Sequence, residues 1–369
     1  MNPTRFVFII GFERCMTSAL AAYLVENGYC DLLVGGIKEP SVFYGHVPLA
    51  RKLLAARRSN GAGRPYLDAS VSYIINPAAL REIAASCPEA KIIICLRDPF
   101  QRILSAFRYY KALHALTIGD AQALLHSGAL PDGTPIPPEL LNMRLPASSW
   151  VMMLWLKHFQ AFHALLDWRT ERRVDEEVLA MGDLAPRFLL DPPVGKHLFT
   201  AVVAAVEGLT PGTAASDARV ASLDSEIEAF ARASLPQVVL RELRHQRDHG
   251  ALPGLSILRN SFFSYPLANA LEIFPPSQIM LASMDRLSGE AAMDERMRDF
   301  LCVAPGTAPQ QGFRRVNDTA RYTGMLNPRD EAAAATVLRE ALREDGERMR
   351  ELLARHPGID LSLYRTAPA

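Results

Sequence analysis

Arg14, Thr17 and Ser18 close a stretch, FVFIIGFERCMTSAL, whose residue types suit the binding of an anion. Arg14 brings a full positive charge, and the two hydroxyl residues bring hydrogen-bond donors. Such a loop running from a strand into a helix also aims backbone N–H groups at one point. The helix dipole adds partial positive charge there, which makes a phosphate cradle by chemistry. Arg97 is a second cation, placed where the apolar run KIIICL meets the polar turn Arg97-Asp98-Pro99. Ser105 follows eight residues later, where a serine bonded to its own helix backbone is the bland alternative. Lys38 and Glu39 form a charged pair before Pro40, and a solvated surface turn is the ordinary reading of such a tripeptide.

The elements that must position these groups are legible around them. Phe6 to Ile10 is an unbroken apolar run of aromatic and β-branched residues, which suits a strand buried on both faces of a parallel sheet. Gly11 breaks it. Thr17 and Ser18 are N-cap types, Ala19, Leu20, Tyr23 and Leu24 recur at helical spacing, and Asn27-Gly28 is a helix stop. Lys91 to Leu96 is a second buried strand, and Asp98 with Pro99 predicts the cap and first position of a helix carrying Ile103, Leu104, Phe107 and Tyr110 on one face. The strand–polar turn–helix unit thus occurs twice, with Arg97 at the carboxyl end of a strand, where open parallel sheets bind ligands. Gln278 to Ala282 predicts a third strand, and Tyr66 to Ser70 a short strand and turn. Pro77 to Ser86 predicts a helix, and Ser261 to Leu271 a helix broken or kinked at Pro266. Arg329 to Arg355 predicts a long amphipathic helix.

Composition narrows the function classes. The chain has 369 residues, 49% hydrophobic and 22% charged, and a net charge of zero. No broad basic footprint for nucleic acid follows from that balance. No apolar run reaches the roughly 18 residues of a membrane span, and the N-terminal apolar run is too short for a signal peptide. Five scattered cysteines, Cys15, Cys30, Cys87, Cys95 and Cys302, show no zinc or CxxC spacing and fit a reducing, cytoplasmic setting. Residues 117–150 are rich in proline and glycine, 169–250 are mostly helical in pattern, and no internal repeat is present.

Four segments together resemble the PAPS-dependent sulfotransferases, PAPS being 3′-phosphoadenosine 5′-phosphosulfate. The branch they resemble holds the heparan sulfate sulfotransferases and their bacterial relatives. The segments are FIIGFERCMTSAL, Lys38-Glu39-Pro40 with Phe43, ICLRDPFQRILSAF, and RNSFFSYPLANALEIFPPSQIMLASMDRL. RYTGM and a final helix ending at Asp360-Leu361-Ser362 add to the likeness. The resemblance implies a three-layer, P-loop-like α/β fold over residues 1–369 with a central, mainly parallel sheet. The likeness covers roughly residues 4–110 and 255–365; residues 115–255 lie outside it, and their mostly helical pattern makes them an expected insertion that shapes the acceptor site.

The implied reaction moves a sulfuryl group from PAPS to a hydroxyl or an amine or amide nitrogen of a small-molecule acceptor, as in specialised metabolism, and releases adenosine 3′,5′-bisphosphate. The resemblance assigns Arg14, Cys15, Met16, Thr17 and Ser18 to the 5′-phosphosulfate and Arg97 and Ser105 to the 3′-phosphate. Arg314, Arg315 and Arg321 are candidates for a lid over the donor. Glu39 is the implied general base, flanked by Lys38 and Arg14, and no metal, membrane or nucleic-acid partner is implied. Two other readings stand beside this one. A P-loop kinase or other phosphotransferase requires a Gly-Lys-Ser/Thr loop and an acidic metal ligand after a strand, and the sequence has neither signature. A nucleotide-binding regulatory module needs neither Lys38 nor Glu39 beside the phosphate loop.

Overall fold

A computed structural model describes residues 6–34, 38–43, 47–59, 63–114, 213–250, 252, 256–283, 290–303, 313 and 326–364. The described residues divide into two compact units. One comprises 1–106, 256–321 and 332–369, and the other 107–255 with 322–331.

The first unit is built on a parallel sheet. Its strands are β1 (Phe6–Gly11), β2 (Asp31–Leu32), β3 (Tyr66–Asp68), β4 (Lys91–Leu96), β5 (Ile279–Ser283) and β6 (Asp360–Leu363), in the order β2-β3-β1-β4-β5-β6. Every pairing among them is parallel. The fold is therefore α/β, with the two most apolar runs, β1 and β4, at the centre of the sheet. Phe6 to Ile10 and Ile92 to Cys95 are essentially inaccessible to solvent, as unbroken apolar runs in a parallel sheet require. β1 pairs with β4 through Val7–Lys91 to Ile9–Ile93, and the register shifts between Ile9 and Gly11. That irregularity lies at the carboxyl end of β1, where the chain leaves the sheet for the loop before α1.

The helices in this unit follow local signals. α1 spans Thr17–Glu26 and stops at Asn27 and Gly28, whose φ of +74° suits glycine. α2 covers Val47–Ser59. α3 spans Pro77–Ser86, with Asn76 Oδ1 accepting from the N–H groups of Ala78 and Ala79. α4 runs Pro99–His114, capped by Asp98 Oδ1, which accepts from Gln101 N at 2.7 Å.

In the second unit, α5 (Ala214–Arg232) and α6 (Leu235–His249) supply the described part of the helical segment expected at 115–255. Residues 115–212 lie outside the described residues. Phe230 of α5 packs against Phe107 and Tyr110, with ring centroids 5.7 and 6.1 Å apart, and Lys111 Nζ donates to Ala231 O at 2.6 Å. Ser234 and Gln237 form a reciprocal capping box at the start of α6.

Back in the first unit, α7 occupies Ser264–Ile273 and α8 Glu290–Leu301. α9, Pro328–Arg355, is the long charge-laced helix expected from Arg329 onward.

Three local expectations are corrected. Pro266 falls in the first turn of α7, where its missing N–H costs no helix bond, so it neither breaks nor kinks the helix. The chain after α9 is not helical to Ser362. Asp360–Leu363 forms the edge strand β6, paired to β5 through Met280–Asp360 and Ala282–Leu363. Thr17 is the first residue of α1 and not its cap, because Met16 holds the cap position with φ +64°. Among the described residues, no helix is long and apolar enough to cross a membrane.

Candidate active site

The loop after β1 is shaped by close packing beneath it. A Cβ on Gly11 would lie 2.7 Å from Ile74 Cγ2, so only glycine lets the end of β1 approach the short 3-10 turn at Val71–Ile75. Phe12 is fully buried against Phe263, with ring centroids 4.6 Å apart, and its N–H donates to Cys95 O at 2.9 Å. Cys15 N–H turns back to Phe12 O at 3.2 Å. Arg14 and Met16 both adopt left-handed backbone, φ +66° and +64°. No side chain caps α1. The first-turn amides of a helix have no intrahelical acceptor and carry the positive end of its dipole, so those of α1 remain donors at the loop.

Cys15, expected among the donor-binding residues, is fully buried, and burial pushes its thiol up to about 12. The Cys15 side chain is core, and only its backbone can serve a ligand. Met16 is half-buried, Thr17 is buried with 5% of its surface exposed, and Ser18 is half-buried on the first turn of α1.

A residue outside the expected set holds this loop. Arg102, on the first turns of α4, is completely buried. Its Nε donates to Glu13 O at 3.0 Å and its Nη2 reaches Glu13 Oε2 at 3.4 Å. Its Nη1 donates to Ile257 O and to Ser261 Oγ, the latter at 3.1 Å. One guanidinium thus ties the loop after β1 to α4 and to the turn before α7. Asn260 Nδ2 also reaches Glu13 Oε2, at 3.5 Å. The sequence signal that could have found Arg102 is an arginine directly before the apolar Ile103 and Leu104, on the face of α4 that turns inward.

The expected site residues converge within the first unit. Arg14 Nε donates to Ser105 Oγ at 3.3 Å, so a residue assigned to one end of the donor touches a residue assigned to the other. Arg97 directly follows the end of β4 and is half-buried. Lys38 Nζ donates to Thr17 Oγ1 at 3.4 Å and pairs with Glu39 Oε1. The Lys38 and Glu39 side chains keep about a quarter of their surface exposed, 24% and 25%. Lys38 O accepts from Ala69 N at 3.0 Å, which anchors this turn beside the end of β3. Three segments distant in sequence, 12–18, 38–39 and 97–105, therefore meet at the carboxyl ends of adjacent strands. Arg314, Arg315 and Arg321 lie outside the described residues.

No family model matches the chain, and no curated protein matches it. Among solved structures, the chain is similar to a sulfotransferase from Alicyclobacillus acidocaldarius, at 14% identity over 95% of this chain and 96% of that one, with a TM-score of 0.46.

Proposed function

We propose that this chain is a PAPS-dependent sulfotransferase that moves a sulfuryl group to a hydroxyl or to an amine or amide nitrogen of a small-molecule acceptor. The observation that carries the reading is two sets of contacts on one loop at one end of a parallel sheet, Arg14 with Ser105, and Thr17 with Lys38, which pairs with Glu39. A donor with three anionic groups needs several cations and N–H or O–H donors around it. This cluster supplies Arg14, Arg97, Lys38, Thr17, Ser18, Ser105 and the first-turn amides of α1. PAPS supplies the activated sulfuryl group.

The roles follow from that donor set. Arg14, Thr17, Ser18 and the loop amides hold the 5′-phosphosulfate, with Cys15 and Met16 contributing backbone. Arg97 and Ser105 hold the 3′-phosphate. The reaction forms a bond from the acceptor oxygen or nitrogen to sulfur and breaks the bond from sulfur to the bridging oxygen. Lys38, within reach of Thr17, neutralises the charge that develops on that bridging oxygen. Glu39 takes the acceptor's proton. Its Oε1 is held by Lys38, which assigns the proton to Oε2. Sulfuryl transfer by in-line displacement asks the protein mainly for positioning and electrostatics.

The test has two stages. Thermal-shift titration should show stabilisation by adenosine 3′,5′-bisphosphate without metal and little by ATP with magnesium. Incubation of PAPS with a panel of hydroxyl and amine acceptors should then yield sulfonated products, read by mass. Stabilisation by ATP with magnesium alone would sink the reading.

A further inference from the structure

We propose that Asp68 is the positioning residue of the Lys38–Glu39 turn, acting through Ser70 and Tyr73. This rests on the sulfotransferase reading for its catalytic consequence, though not for its geometry. Asp68 closes β3 at the position that pairs with Phe8 of β1, and it is completely buried, as are Ser70 and Tyr73.

Two hydrogen-bond relays leave the turn and end on this one carboxylate. Ser41 N donates to Ser70 Oγ at 2.9 Å, and Ser70 Oγ donates to Asp68 Oδ1 at 2.5 Å. Phe43 N donates to Tyr73 Oη at 3.2 Å, and Tyr73 Oη donates to Asp68 Oδ2 at 2.9 Å. Ser70 N also donates to Asp68 Oδ1, at 2.9 Å. An ionised carboxylate only accepts hydrogen bonds. Its presence directs both hydroxyl protons inward, which leaves the hydroxyl lone pairs facing the two amides of the turn.

The turn needs such holding. Ser41 adopts left-handed backbone with φ +52°, a conformation costly for serine. Its N–H is the group that enters the first relay. Phe43 is buried between Tyr73 and Phe8, ring centroids 5.9 Å apart in each pair, so the second relay sits in a dry, packed setting. Ala69 N, between Asp68 and Ser70, donates to Lys38 O and so bonds the residue that carries one of the reacting charges. Asp68 touches neither Lys38 nor Glu39 through a hydrogen bond. It fixes the backbone that aims them.

Asparagine at position 68 keeps the shape but offers an N–H₂ group to one of the two hydroxyls. A donor at the Oδ2 position points at Tyr73 Oη where an acceptor stood, and that relay reverses. Phenylalanine at position 73 removes the second relay alone and is the milder change. Threonine at position 70 keeps the hydroxyl and serves as the rescue variant.

The experiment compares wild type with Asp68→Asn, Tyr73→Phe, Ser70→Ala and Ser70→Thr. It reads the melting temperature, amide exchange over residues 38–43, affinity for adenosine 3′,5′-bisphosphate, and kcat and KM for sulfuryl transfer from PAPS. Transfer is read to the acceptor found by screening and, independently of any acceptor, to water. Asp68→Asn, Tyr73→Phe and Ser70→Ala should speed exchange at residues 41–43 and lower kcat by about tenfold or more, Asp68→Asn the most, because misplacing a reacting group is costly in rate. Nucleotide affinity and donor KM should stay within about threefold, the signature of an effect on the reacting geometry and not on uniform binding. Ser70→Thr should restore both exchange protection and kcat.

Unchanged exchange and unchanged kcat in an active enzyme would overturn the proposal. So would a loss of nucleotide affinity in step with kcat, which marks general loosening. If wild type neither binds adenosine 3′,5′-bisphosphate nor cleaves PAPS, the sulfotransferase reading fails. The exchange data still decide whether Asp68 holds the turn.

Discussion

The loop after β1 and the Lys38–Glu39 turn are held by buried charges of opposite sign. Arg102 grips the loop at residues 12–16 through a carbonyl and a carboxylate of Glu13, and fixes itself to Ile257 and Ser261. Asp68 grips the turn at residues 38–43 through two hydroxyls that accept from its amides. Both segments contain left-handed residues that are not glycine, Arg14 and Met16 in one and Ser41 in the other. The difference follows from the chemistry of the two holding groups. A guanidinium only donates, so Arg102 meets the carbonyl and carboxylate of its loop directly. A carboxylate only accepts, so Asp68 reaches the amides of its turn through hydroxyls that accept from them and donate to it.

The strongest way to break this comparison is Arg102→Met. Removing a fully buried charge that bonds four acceptors, and leaving Glu13 without that partner, should cost about 3–5 kcal/mol. Denaturant unfolding would read the loss, and nucleotide binding should fall with it. Glu39→Gln acts on the other segment and should separate chemistry from binding. General-base loss typically costs about 10²–10⁴ in rate, so single-turnover transfer should collapse while affinity for adenosine 3′,5′-bisphosphate stays near wild type. Retention of the rate within about tenfold would remove Glu39 as the base.

A third measurement sharpens the role of Asp68 through pH. Burial raises its carboxyl from 3.8 to about 6, with Glu39 adding to the rise and the bonds from Ser70 and Tyr73 opposing it. The folded state therefore holds this proton more tightly than the unfolded chain does. The stability it contributes is fully present below pH 3.8 and is lost as pH rises through about 6. Asp68→Asn cannot titrate. The stability difference between wild type and variant should shift against wild type across that window, on the order of 1.4 kcal/mol for each unit of separation. Equal pH slopes in the two proteins would contradict the burial cost. The smallest expected change is Arg97→Ala, which should weaken nucleotide binding by about 1.5–3 kcal/mol through loss of a charge-assisted contact. Calorimetric titration showing unchanged affinity would remove Arg97 from the 3′-phosphate.

Features whose causes lie within a few residues of one another could be read from the chain alone. The apolar runs of β1 and β4 suffice to place two central strands, because a strand buried on both faces needs no polar alternation. Pro77 places the start of α3, and Asp98 before Pro99 that of α4, because proline suits a first helical turn and a cap bonds an amide two or three residues ahead. The charged and hydroxyl residues of the site were likewise legible as types suited to an anion. The other features depend on contacts between distant parts of the chain. β2 has two residues, and the edge strand β6 is largely exposed, so neither carries an apolar signature and each exists only through its neighbour. Thr17 looks like a cap, yet the path imposed on Arg14 and Met16 makes it the first helical residue. Arg102 and Asp68 read locally as a helix arginine and the end of a short strand. Arg102 reaches Ser261 across 159 residues of sequence, and the relays on Asp68 return to Ser41 and Phe43 across 29 and 30. A buried charge is defined by the partners that packing brings to it, and these partners meet only when the sheet has formed.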